Sequence, residues 1–236
     1  KTNSLSHKVS CFLERYIYIK STLILGQSNE IISHVKTIVP TKNCFLYRNL
    51  PDHKTTEFNL ITPLNEPIRI FYAGLLGVAQ GVLELCKQVK LYNLNVEFHI
   101  FGDGAEKKQI ENFIQNNHEK KIFFHGMLER TELLNQIKSF DLALVPLKTR
   151  IYGSVPSKIF EYCSLGFPVL YFGGGEGEII VQDNKLGWIA PVGNYSVLNE
   201  KLTFISRQNK TDFDLMKNQI FNHSIVTFNL DNQIAF

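Results

Sequence analysis

Residues 152–176 read Y-G-S-V-P-S-K-I-F-E-Y-C-S-L-G-F-P-V-L-Y-F-G-G-G-E, and the fold turns on how that stretch is parsed. Pro156 suits the first position of a helix, where its missing N–H is no loss and its φ is already helical. Gly166 suits the left-handed residue just past the helix end, and Pro168 stops the helix from resuming. At roughly 100° per residue, Ile159, Phe160, Tyr162 and Cys163 fall on one side of that helix, and Ser157, Lys158 and Glu161 on the other. P-V-L-Y-F then reads as a short buried strand running into Gly173, Gly174 and Gly175. A helix with a charged face, followed by a strand that ends in a glycine loop, is how an α/β protein assembles an anion site.

Outward from this stretch the same unit recurs. I-R-I-F-Y-A from Ile68, V-E-F-H-I-F, K-I-F-F-H, D-L-A-L-V-P, P-V-L-Y-F and G-W-I-A are each apolar runs of strand length. Helical patterns alternate with them: Val82, Leu85, Cys86 and Val89; Ile110, Phe113 and Ile114; Leu133, Leu134 and Ile137; a short helix at 178–181; then Leu198, Leu202 and Ile205. Glycine at nearly every strand end completes the pattern of an α/β fold with a doubly wound parallel sheet. Such sheets bind ligands beyond the carboxyl ends of their strands, where these glycines lie. Upstream the signals are sparser. Residues 9–20 predict a helix, S-T-L-I-L-G-Q-S a short strand, and N-E-I-I-S-H-V-K a second helix. Asn49, Leu50, Pro51 and Asp52 read as a turn, and residues 54–67 as an irregular connector.

Composition narrows the class. The chain has 236 residues, enough for one large domain or one domain and part of another, and starts with Lys rather than Met. Its 44% apolar and 20% charged residues are ordinary for a globular protein. No run reaches the roughly 20 apolar residues that span a bilayer, and no signal-peptide pattern is present. A net charge of +3 without clustered basic residues is too small to argue for nucleic acid, and none is expected as a partner. Lys8, Arg15 and Lys20 flank aliphatic and aromatic residues, which fits an ordinary amphipathic helix better than a membrane-facing one. Cys11, Cys44, Cys86 and Cys163 form no C-x-x-C pair and read as reduced thiols, two of them at core spacing. In a reduced compartment the Asn-x-Ser/Thr triplets at Asn194, Asn209 and Asn222 carry no meaning.

V-P-S-K-I-F-E-Y-x-x-x-G-x-P-V, its glycine loop and the later E-I-I…G-W-I-A-P together resemble the donor-binding half of retaining family-4-type glycosyltransferases of GT-B fold. The likeness is nearest to the subgroup that writes P-S-K-x-x-E-Y, and it covers residues 68–202. It implies a Rossmann-like nucleotide-sugar-binding domain over 68–207 and a C-terminal helical segment over 208–236. Residues 1–67 would be a remnant of the N-terminal acceptor domain with its linker. The implied reaction moves a sugar, with retention, from a nucleotide-sugar donor to a carbohydrate or lipid-linked acceptor. UDP is favoured over GDP, and no metal or other cofactor is needed. A cytoplasmic protein able to sit at the inner face of the membrane follows, with any membrane contact made through the N-terminal domain. Since residues 1–67 are too few for a second α/β domain, the chain is expected to bind donor without transferring sugar.

The resemblance also implies roles for residues. Glu161, the second member of an E-x7-E pair, would hold the donor ribose; a surface glutamate pairing with Lys158 is the plainer reading. Gly74, Gly77, Ser157 and Lys158 would surround the donor phosphates. Gly126, Met127 and Leu128 would pack the base against main chain, and Gly174, Gly175 and Glu176 would face the sugar. The first glutamate of the pair falls at Gly153, so no catalytic residue is assigned. The first glycine turn carries Leu75 and Gln80 where many members have Arg and Lys. Neutralisation of the diphosphate then falls to Lys158, Lys148 and Arg150. His99 and His125, on strand patterns, read as core-edge histidines. Asp103 lacks the upstream G-x-G-x-x-G of a dinucleotide site, which argues against a dehydrogenase. A nucleotide-sugar 2-epimerase of the same fold and a non-catalytic nucleotide-sugar-binding module are the remaining alternatives.

Overall fold

The computed structural model describes residues 4–51, 67–116 and 121–234. The chain divides into two compact units, Lys1–Asn49 with Ile151–Val155, and Leu50–Arg150 with Pro156–Phe236. Asp52 of the expected turn, and the expected connector apart from Pro67, lie outside the described residues.

In the smaller unit, α1 (Leu5–Lys20) starts earlier than its apolar pattern predicts. Ser4 is the reason: its hydroxyl caps the helix by accepting the His7 N–H at 3.2 Å. No α1 side chain is buried, and Leu5, Phe12, Tyr16 and Ile17 are each more than half exposed. Strand β1 (Ile24–Gly26) is followed by α2 (Asn29–Ile38), which Ser28 caps through the Ile31 N–H at 3.1 Å. A strand that the sequence reading lacks, β2 (Cys44–Leu46), pairs in parallel with β1. Its three half-buried residues are too few to show alternation. Among the described residues no helix is long and apolar enough to cross a membrane.

The larger unit carries the regular repeat: β3 (Ile68–Ala73), α3 (Val82–Gln88), β4 (Val96–Phe101), α4 (Lys107–Asn116), β5 (Ile122–Gly126), α5 (Arg130–Ile137) and β6 (Leu142–Pro146). It continues with α6 (Ser157–Ser164), β7 (Val169–Phe172), α7 (Glu176–Asp183), β8 (Gly187–Ile189), α8 (Tyr195–Ile205), α9 (Lys210–Thr227) and α10 (Leu230–Ile234). Six strands pair in the order β5-β4-β3-β6-β7-β8, all parallel. The expected doubly wound sheet is therefore present. Its order reverses between β3 and β6, which opens a crevice at their carboxyl ends.

Each face of the sheet has its own packing. On one, Ile70, Tyr72, Phe98, Ile100, Leu144 and Leu170 meet helices α3, α4 and α8 through Leu85, Ile110 and Leu198. The other face is aromatic: Phe71 meets Phe140, Tyr162 and Phe167 edge-on at centroid distances of 5.7, 5.0 and 4.9 Å. Edge-on pairs place the positive rim of one ring on the negative face of the next.

Helix α6 ends as its sequence predicts. Gly166 has φ 86°, its N–H bonds to Cys163 O, and Phe167 N–H reaches back to Tyr162 O. This is a Schellman closure. At the other end Pro156 is the cap residue (φ −61°, ψ 120°) and not the first helical one, so the helix opens at Ser157. The expectation is corrected by one position, because ψ at Pro156 stays extended although its φ is helical.

At the amino ends of the strands lies a buried charge cluster. Asp141, fully buried, accepts the Arg69 N–H at 2.8 Å and holds Lys210 Nζ at 2.5 Å. Lys217 Nζ, 3% exposed, lies 3.9 Å away and donates to Phe140 O at 2.9 Å. Burial pulls the Lys217 ammonium below the usual lysine range, and Asp141 opposes that shift. Asp141→Ala leaves two lysines without their anion and should destabilise the unit by about 3–5 kcal/mol in urea unfolding. A loss under about 1 kcal/mol would mean that the cluster contributes little to stability.

The aromatic face also holds His99. A carboxylate can only accept, so His99 Nε2 carries the hydrogen toward Glu97 Oε2 at 3.3 Å. Its Nδ1 then accepts from His125 Nε2 at 2.9 Å. Burial, then the charges of His125 and Arg69, lower the His99 pKa to about 3. A pKa depressed on folding keeps stability intact above the unfolded value and removes it as pH falls from there toward the folded value. Stability should drop on the order of 2 kcal/mol between about pH 7 and pH 5. His99→Gln should flatten that slope in denaturant melts across the range, and an unchanged slope would refute the assignment.

Candidate functional site

The glycine strand ends come first. Between β3 and β4 the backbones close so tightly that a Cβ on Gly102 would stand 1.9 Å from Gly74 O. The ladder runs on through these residues, with Gly74 N–H to Phe101 O at 2.9 Å and Gly102 N–H to Gly126 O at 2.8 Å. Gly74 and Gly102 thus follow the last residues of β3 and β4, Gly126 ends β5, and none of the three carries a side chain.

Helix α6 lies against this edge and is fixed to it. The buried Tyr162 hydroxyl donates to Ala73 O at 2.8 Å, and burial raises its pKa well above the usual tyrosine value. That contact sets the helix rotation. The Lys158 stem crosses Gly74, where a Cβ would meet Lys158 Cε at 2.7 Å, and Lys158 Nζ lies 5.3 Å from the Tyr162 ring centroid. Burial lowers the Lys158 pKa; Glu161 raises it and Arg130 lowers it further. Glu161, the expected ribose ligand, places Oε2 3.9 Å from Lys158 Nζ and Oε1 3.6 Å from Arg130 Nη1. Ser157, half-buried, is the first residue of α6.

Arg130 is absent from the sequence reading. It opens α5, just past the Gly126 turn, and is 60% exposed. A cation in a helix's first turn opposes the helix dipole, and that was the available signal that its charge serves something else.

The other expected positions divide into three places. Gly126 ends β5 with φ 74°, followed by the exposed Met127 and the half-buried Leu128. In the first turn, Gly77 packs against Gln80, whose Oε1 is buried without a hydrogen-bond partner among the described residues, and Leu75 is 62% exposed. The exposed Lys148 runs along Gly81 in that same turn, within 3.1 Å of where a Cβ would be. After β7, Gly174 and Gly175 have φ 71° and 72°, and Glu176, 5% exposed, opens α7. Arg150 lies over Gly175, its Nε 3.2 Å from a Cβ there, and Tyr171 OH donates to Gly174 O at 2.9 Å. Asp103, the residue tested for a dinucleotide role, accepts the Gly104 N–H and pairs loosely with Lys107.

Gly153, where the resemblance expects a glutamate, belongs to the smaller unit. Its N–H donates to Glu30 Oε2 at 2.7 Å and its carbonyl accepts from Ser28 Oγ at 2.9 Å. Its φ of 73° is one that side-chain-bearing residues rarely adopt, and a Cβ would meet Ile31 Cδ1 at 2.3 Å, so Ile31 would have to shift. Among the described residues no group of three or more His, Cys, Asp or Glu could hold a metal ion.

With this geometry the chain compares as follows. Amylovoran biosynthesis glycosyltransferase AmsK of Erwinia amylovora is 24% identical over 151 residues, covering 61% of this chain and 37% of that protein. The crystal structure of TarM matches 97% of this chain and 45% of its own, with TM-score 0.75 and 15% identity. Anabaena HepE, in complex with UDP and glucose, matches 98% of this chain and 65% of its own, with TM-score 0.69 and 13% identity. The chain thus spans less than half the length of AmsK and of TarM. The solved structures share its fold, the parallel α/β sheet of GT-B glycosyltransferases. Residues 54–220, most of the chain, match the family described as Glycosyl transferases group 1, and the chain belongs to it.

Proposed function

We propose that the carboxyl ends of β3, β5 and β7, with α6, bind a nucleotide-sugar donor for a retaining glycosyltransferase. UDP is the favoured nucleotide, and the acceptor is a carbohydrate or a lipid-linked sugar. The observation that carries this reading is α6 itself. A half-buried carboxylate and a desolvated ammonium stand on one helix face beside a strand end stripped of side chains. A ribose diol donates two hydrogen bonds and matches the Glu161 carboxylate. A diphosphate matches the Lys158 ammonium and the open N–H groups of the Gly74 turn. The UDP bound to HepE, a protein of the same fold, supports this choice.

Departure of the donor's diphosphate builds negative charge, which a fixed cation in a partly dry site stabilises more than water would. Lys158 fills that role beside Gly74. Gln80 adds a neutral group: with its amide turned, the same position that buries Oε1 would direct an N–H₂ into the turn. Charge neutralisation then comes from protein cations, and donor binding requires no divalent metal. Family membership favours transfer over epimerisation or simple binding. The retaining course, the sugar and the membrane side remain part of this proposal.

Calorimetric titration with EDTA present should show UDP binding. Glu161→Ala should weaken it by roughly 1.5–3 kcal/mol, the value of charge-assisted hydrogen bonds to the diol. The 2′,3′-dideoxy nucleotide, lacking the diol, should lose little on the same substitution. Equal losses for both ligands would remove Glu161 from the ribose. Absence of any nucleotide binding by a folded sample would end the donor-site reading.

A further inference from the structure

We infer that Arg130 is a specificity-determining residue that reads a carbonyl oxygen on the base of the bound nucleotide. This rests on the donor-site reading above. Arg130, Glu161 and Lys158 form a row of alternating charge, with Nη1–Oε1 at 3.6 Å and Oε2–Nζ at 3.9 Å. The row has a direction. Its Lys158 end crosses Gly74 at the close of β3, beside the crevice between β3 and β6. Its Arg130 end belongs to α5, which follows β5 and the Gly126 turn, and β5 is the edge strand two places from β3.

A nucleoside diphosphate has the matching order of polarity: an anionic diphosphate, a diol that donates, and a base edge. With the phosphates at the Gly74 turn and the ribose at Glu161, the base extends toward β5 and Arg130. A guanidinium has five donors and no acceptor, so it favours a base edge with carbonyl acceptors over one that also carries an amino donor. Uracil has two carbonyls and guanine one, whereas adenine offers only ring nitrogens beside its amino group. Arg130 is 60% exposed and can swing to a ligand without disturbing the core. Its guanidinium lies 3.6 Å from Glu161 Oε1.

The test is calorimetry of UDP and ADP on the wild-type chain and on Arg130→Ala, Arg130→Lys and Glu161→Ala, with thermal melts confirming that each folds. The expected result is a loss of about tenfold in UDP affinity for Arg130→Ala, one hydrogen bond to a charged donor, with ADP changed less than about twofold. Arg130→Lys should recover part of the UDP affinity. Equal losses for UDP and ADP would overturn base reading, and so would unchanged or tighter UDP binding. Both leave the donor-site reading standing, provided the wild-type chain binds UDP and Glu161→Ala weakens it. A wild-type chain that binds neither nucleotide would overturn the donor-site reading itself and this inference with it.

Discussion

The hydrogen bond from the Tyr162 hydroxyl to Ala73 O is the contact on which the candidate site depends. A buried phenol without a partner is costly, and the last carbonyl of β3 is the acceptor in reach. Satisfying it rotates α6 so that positions 158 and 161, three apart and thus on one side of the helix, face the strand ends. The same ring packs edge-on against Phe71, which fixes the helix against translation as well. The adjacency of Glu161 and Tyr162 is therefore mechanical: one residue locks the helix and its neighbour is aimed by the lock. Lys158 could not lie across Gly74 if either the rotation or the missing side chain were lost.

Electrostatics at this edge work in part against the charge on Lys158. Burial disfavours the Lys158 ammonium, and Arg130 adds to the strain, while only Glu161 relieves it. Under the proposed function, a dianionic diphosphate would add a second anion to Glu161 beside this cation. The first glycine turn carries Leu75 and Gln80, so on the proposed reading the cations would come from elsewhere. Lys158 comes from α6, Lys148 lies along Gly81, and Arg150 lies over Gly175.

What the sequence disclosed follows from what leaves a periodic trace. Strands β3, β4, β6 and β7 are nearly continuous buried runs, and the helices between them bury one stripe, so both patterns are visible in one chain. Glu161, Lys158 and the glycines were legible because a motif spaces them on a single element. Arg130 was not, because its partner Glu161 lies 31 positions away in sequence on another helix. The Asp141 cluster joins residues from β3, the start of β6 and α9, and no local pattern encodes such a meeting. Segment Ile151–Val155 looks like a loop of the larger unit and is claimed by the smaller one through Glu30 and Ser28. Gly153 thus reads as a missing glutamate in one dimension and as a left-handed backbone position, suited to glycine, in three.

The two ends of the sheet are built on opposite principles. At the amino ends, Asp141 draws the start of β3, through the Arg69 N–H, and α9, through Lys210 and Lys217, onto one buried anion. Lys210 also donates to Pro67 O, so the entry to β3 is held from two sides. Breaking such a set leaves uncompensated charge in a dry place, which makes that end stiff. At the carboxyl ends, Gly74 and Gly102 follow their strands and Gly126 ends its own, and the charges there sit half-exposed on α5, α6 and loops. A ligand that must be held and released needs groups with little to lose on rearranging, and an immobile frame behind them. The sheet supplies both by keeping its fixed charges at one end and its adjustable ones at the other.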